Sequence, residues 1–163
     1  MRDILHLFRS YPSFIRPVSM YAIERGWPCI HVYHTSFAYY LSMYGKTEEL
    51  RTKAKELYEE YNKMKSHEMS PRFMGTVGYR VTNELRPLIE QHILSLISQR
   101  YTDFERRYIY YCLGMSAVYI FLKDNANDTI KHYNTWAMKI FLPRLMMYYN
   151  PYLFIKNTNE VFA

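Results

Sequence analysis

At 163 residues the chain is long enough for one domain with a real core and short for two. A hydrophobic content of 49% excludes a wholly disordered chain, and five glycines in all argue against a β-rich fold built on tight turns. The formal net charge is +6, but the basic residues are dispersed and never run together in fours, so nucleic-acid binding is not expected.

Eighteen tyrosines and ten methionines are the unusual part of this composition. A tyrosine joins an apolar ring to one polar end and a methionine packs adaptably, so both suit surfaces that meet other proteins or membrane headgroups. A Tyr-rich core is the plainer alternative. Cys29 and Cys112 are far apart and carry no CxxC spacing, which points to a reducing compartment or a single bridge, with buried thiols expected.

The opening stretch, about residues 1–26, has short apolar runs broken by Arg9 and Arg16, unlike a secretory signal. Every basic position before Lys46 is arginine (Arg2, Arg9, Arg16, Arg25), and the acids there are Asp3 and Glu24 alone. Such an arginine-biased, amphipathic arm has the character of an organelle-targeting segment.

"WPCIHVYHTSFAYY" follows, and its Cys29, His31 and His34 are the metal candidates of the chain. On a helix His31 and His34 share a face at i,i+3, and a haem would need only one or two such axial histidines. Zinc wants four ligands, and no second Cys/His pair completes a set, so no metal and no cofactor are expected. Residues 26–45 are free of formal charge, a second possible membrane segment. His31, His34, Thr35, Ser36 and Ser42 would all need partners in hydrocarbon, so burial against protein is the expected use.

Residues 46–68 read as a surface helix, with Leu50, Ala54, Leu57, Tyr58, Tyr61 and Met64 on one stripe. Thr47 is the expected cap, with Glu48 and Glu49 at the positive end of the dipole and Glu49–Lys53 and Glu59–Lys63 as i,i+4 pairs. "SPRFMGTVG" interrupts the pattern. A further helix is expected from about Asn83, with Pro87 in or near its first turn. Its apolar face is Leu85, Leu88, Ile89, Ile93, Leu96 and Ile97, with His92 on that face as a hydrogen-bonded core histidine.

Asp103 is a plausible cap for the next helix, which carries "YIYYCLGMSAVYIFL", fifteen uncharged residues at 108–122. As a helix these span about 22 Å against roughly 30 Å of hydrocarbon; extension back to Phe104 gives about 28 Å if Glu105, Arg106 and Arg107 reach out to water. The segment is either a bilayer contact or a buried core helix, and Tyr108, Tyr111, Leu113, Val118 and Phe121 mark it as the candidate membrane or interface segment. "KDNAND" is the clearest loop, and Asp128 or Thr129 is expected to cap a last helix. That helix carries Ile130, Tyr133, Ala137, Ile140 and Phe141, with a kink at Pro143 and an end at Asn150–Pro151.

No GxSxG, HExxH, P-loop or GxGxxG occurs, and Glu59 and Glu60 lie among lysines where a solvated face is expected, so no catalytic residues are assigned. The fold expected is all-α, a single helical domain over residues 1–163. It has four or five helices, one or two of them very apolar and open to embedding in a membrane. The function expected from class is a non-catalytic accessory (structural) subunit of a large membrane-protein assembly, with other protein subunits and membrane lipid as partners. The arginine bias puts a respiratory-chain or ATP synthase complex of the mitochondrial inner membrane first. The alternatives are a soluble helical protein-interaction module, viral or signalling, and an organellar ribosomal protein, suggested by a pI near 9.2.

Overall fold

The structure, a computed structural model, describes residues 12–64, 81–96 and 103–148. All regular structure among them is helical: α1 (Pro12–Arg25), α2 (Cys29–Tyr44), α3 (Glu48–Asn62), a π-helical turn (Val81–Leu85) running into α4 (Arg86–Leu96), α5 (Asp103–Asn125) and α6 (Asp128–Tyr148). That is six α-helices among the described residues, against the four or five expected. The extra one arises because Gly26 separates the arm's helix from the uncharged stretch behind it.

The chain divides into two compact units, Met1–Tyr21 with Tyr101–Ala163, and Ala22–Arg100. Helix α1 belongs to the first through Tyr21 and to the second from Ala22. In the first unit α5 packs on α6. Residues 113–122 of α5 are buried without exception, so this helix has no wet face along its middle. Tyr21 of α1 meets Phe121 edge to face at 5.3 Å. Asn134, fully buried on α6, donates from Nδ2 to the Tyr119 carbonyl at 3.1 Å and ties the pair. Arg16 lies 4.1 Å from the centre of the Tyr133 ring and donates to its hydroxyl at 3.2 Å.

The turn between α5 and α6 is tighter than the sequence suggests. Lys123, Asp124 and Asn125 stay helical, and only Ala126 and Asn127 connect the two helices. Asn127 is the cap, in place of Asp128 or Thr129: its Oδ1 accepts the Ile130 N–H at 3.0 Å, three residues on, as a capping side chain does. Helix α6 continues past Pro143 to Tyr148.

In the second unit α2 packs on α3, and α4 with its π turn packs on α2. The stripe expected of α3 is found, with Leu50, Ala54, Leu57 and Tyr61 buried. Thr47 accepts from the Leu50 N–H at 3.1 Å and Glu49 pairs with Lys53 at 3.1 Å. Leu85, Leu88, Ile89 and Ile93 are buried as expected of α4, while the Leu96 side chain and Ile97 lie outside the described residues. The π turn ends two residues before Pro87, whose ring crowds the carbonyl four residues back, that of Asn83 within the turn; a wider turn there relieves the crowding. The uncharged stretch 26–45 is used as expected, as a protein-packed helix: Ser36 donates to the Val32 carbonyl and Ser42 to the Tyr39 carbonyl, both at 2.6 Å.

No helix among the described residues is long and apolar enough to cross a membrane, so of the two readings left open for 108–122 a bilayer-spanning helix finds no support. The reason lies at the ends of α5. Any eighteen-residue stretch containing 108–122 takes in at least two of Glu105, Arg106, Arg107, Lys123 and Asp124.

Candidate functional site

The site grows from the end of α1. Gly26 has φ 68°, a left-handed conformation that glycine adopts without cost. The Gly26 N–H donates to the Ile23 carbonyl at 3.2 Å and the Trp27 N–H to the Ala22 carbonyl at 2.8 Å, which is the Schellman ending of a helix. Trp27 and Ala22, the positions that pack together in this motif, are both buried. Pro28 then opens α2 with an extended backbone, φ −69° and ψ 151°.

This corner aims three side chains at the C-terminal end of α3. Trp27 Nε1 donates to the Met64 carbonyl at 2.7 Å, Arg25 Nη2 to the Asn62 carbonyl at 2.6 Å, and His31 Nε2 to the Tyr61 carbonyl at 2.9 Å. The last carbonyls of a helix have no intrahelical donor, and they carry the negative end of its dipole. The corner supplies donors to them, one of them cationic. The rings stack the arrangement together: Arg25 lies 4.4 Å over Trp27, Trp27 meets His31 edge-on at 4.6 Å, and His31 meets Tyr61 at 5.8 Å. With its carbonyls taken from the side, α3 stops at Asn62, short of the helix expected to run to residue 68.

This geometry separates the metal candidates. His31 is fully buried and spends one ring nitrogen on Tyr61, His34 turns a buried ring nitrogen inward, and Cys29 is exposed, contrary to the buried thiol expected. Cys29 stands at the first, solvent-facing position of α2, two residues before His31, so the two side chains leave the helix on different sides. No three His, Cys, Asp or Glu side chains come together as a metal set among the described residues. The Cys112 side chain lies outside them.

Burial holds the histidines neutral. It lowers His31, against which the Tyr61 hydrogen bond works, and it lowers His34 to about 4, with His31 and Arg86 adding to the effect. His92 is likewise lowered to about 4, by burial first and Lys46 second. The hydrogen-bonded core role expected of His92 matches its position, with Nε2 3.4 Å from the Tyr40 hydroxyl. Burial also raises the Tyr61 phenol to about 12, with Glu84 contributing.

Of the residues marking the candidate membrane segment, Leu113, Val118 and Phe121 are core, at 3%, 0% and 0% exposure. Tyr108 and Tyr111 lie on α5, their side chains outside those described. The apolar surface lies elsewhere: Ile23 is 81% exposed and Ile30 51%, one on each side of the Gly26–Pro28 corner. Leu94 on α4 and Trp136 on α6 are exposed too. Sequence reasoning passed over Arg25, Trp27, Ile23 and Ile30. The signal was the run "RGWP", a glycine stop followed by a proline start, which announces a sharp helix–helix corner.

No family model matches the chain, and neither a curated protein nor a solved structure similar to it is found.

Proposed function

We propose that the chain is a non-catalytic helical accessory subunit that docks onto a larger membrane-protein assembly through the corner between α1 and α2. The carrying observation is the exposure of Ile23 and Ile30 beside a corner held rigid by Trp27, His31 and Arg25. Apolar side chains presented to water on a fixed frame suit burial against a partner, and a rigid frame lowers the ordering cost of docking. The arginine usage before Lys46 supports a mitochondrial inner-membrane assembly, of the respiratory chain or ATP synthase, as the first place to look. Attachment is through protein subunits, with lipid contact at the periphery of the assembly.

A soluble helical interaction module is the rival, and the burial of residues 113–122 favours it by removing the segment that tied the chain most directly to lipid. Native electrophoresis of membranes solubilised in mild detergent separates the two. Migration of the 19.9 kDa chain with an assembly several times its own mass supports the accessory subunit. Its recovery as a monomer from the aqueous fraction supports the rival.

A further inference from the structure

We infer that His31, Thr35 and Tyr61 frame a buried site for a small neutral hydrogen-bonding guest, a water molecule, inside the unit formed by residues 22–100. All three residues are fully buried. His31 Nδ1, Thr35 Oγ1 and the Tyr61 hydroxyl each have no hydrogen-bond partner among the described residues, and His34 Nδ1 stands in the same condition. His31 and Thr35 are one turn apart on the same face of α2, and the Tyr61 ring lies edge-on to that of His31.

Thr35 is the informative member. A helical hydroxyl with no other partner turns back onto the carbonyl four residues earlier, and several here do so: Ser36 onto Val32, Thr52 onto Glu48 and Thr135 onto Lys131. Thr35 makes no such bond, so its hydroxyl is left for another partner. The donor and acceptor inventory then defines that partner. His31 gives its Nε2 proton to a carbonyl, which can only accept, so the neutral ring carries a bare lone pair at Nδ1. The guest must donate to that lone pair, while the two hydroxyls can each donate or accept. Water meets these demands, and two to four such partners are what a buried water takes.

Charge decides against an ion. The arginines Arg25 and Arg86 act on His31 and His34, Glu84 acts on Tyr61 from a distance, and among the described residues no set of His, Cys, Asp or Glu comes together to hold a metal. A divalent cation there would meet the field of two arginines against one glutamate, and a phenol that burial keeps protonated. An anion would meet the lone pair of Nδ1.

The test is a crystal structure of the full chain at a resolution that reveals ordered water, paired with titration of the purified protein with zinc and copper ions. The expected result is a peak within hydrogen-bond distance of His31 Nδ1 and of at least one hydroxyl of Thr35 or Tyr61, with no stoichiometric metal uptake. A Thr35→Val protein, equal in shape, gives the second measurement: the peak is lost or moves off Thr35 while the fold is kept. Direct pairing of the Tyr61 hydroxyl with His31 Nδ1, or one metal ion per chain bound through His31, would overturn the proposal.

Discussion

The Nε2 atom of His31 lies 2.9 Å from the main-chain carbonyl of Tyr61, and through this bond α2 closes the open end of α3. His31→Phe keeps an aromatic ring but removes the donor, leaving the Tyr61 carbonyl only its longer bond from the Met64 N–H at 3.3 Å. The expected cost is about 0.5–1.5 kcal/mol of stability, the net worth of one hydrogen bond. A urea unfolding curve would register it as a lower midpoint at unchanged slope. A shift below about 0.5 kcal/mol, the range of an ordinary surface substitution, would mean that the corner does not brace α3.

The same burial makes stability depend on pH. His34 and His92 bind their protons near pH 4 when folded, His31 is lowered as well, and all three revert to an ordinary value of 6.5 in the unfolded chain. Above 6.5 both states are neutral and the histidines contribute no pH dependence. As pH falls from 6.5 towards 4 the unfolded state takes up protons that the folded state refuses, so stability falls, by up to about 1.4 kcal/mol per pH unit for each histidine. Unfolding midpoints at a series of pH values between 7.5 and 4.5 measure the slope, and a His34→Gln, His92→Gln protein should flatten it. An equal slope in that variant would assign the effect to other groups.

Gly45, between α2 and α3, is required for space. A Cβ there would lie 2.6 Å from the Leu41 carbonyl and run into the Leu50 side chain, and that carbonyl already accepts the Gly45 N–H at 2.9 Å. Its φ of −57° suits any residue, so the constraint is steric alone. Gly45→Ala is therefore expected to lose about 1–3 kcal/mol through overpacking. A thermal unfolding scan with an unchanged or raised midpoint would contradict the tight approach of α2 to α3.

Asn127→Ala tests the cap of α6, whose Ile130 N–H would lose its acceptor. About 1 kcal/mol is expected, recovered in Asn127→Ser and Asn127→Asp, which keep a side-chain acceptor. Chemical denaturation of the three proteins decides it: three equal losses would deny the capping role.

The helices were legible where one face is apolar and the other charged. The stripe of α3 and its Thr47 cap follow directly from the spacing of Leu50, Ala54, Leu57 and Tyr61. The segment 108–122 was ambiguous because an apolar helix in a core and one in lipid carry the same residues. Burial of Leu113 through Leu122 settles where these side chains lie, a tertiary fact without a local sign. His31 was a candidate ligand with Cys29 and His34 in a set the sequence leaves incomplete, and nothing there pointed to its actual partner, a main-chain carbonyl thirty residues away, because main-chain acceptors leave no mark in a sequence. Asn127 was hidden among several residues of "NANDT" that can all cap, and only the turn geometry chose between them.

The exposed pair at the corner carries the functional account, and one comparison tests it most directly. Ile23→Lys with Ile30→Lys changes side chains that are mostly in water, so the unfolding midpoint should stay within about 0.5 kcal/mol of the parent. In native electrophoresis of mildly solubilised membranes the parent chain should run with a much larger assembly, and the double variant should run alone at its own mass. A parent that itself runs alone, or a well-folded double variant that still enters the assembly, would contradict docking through this corner.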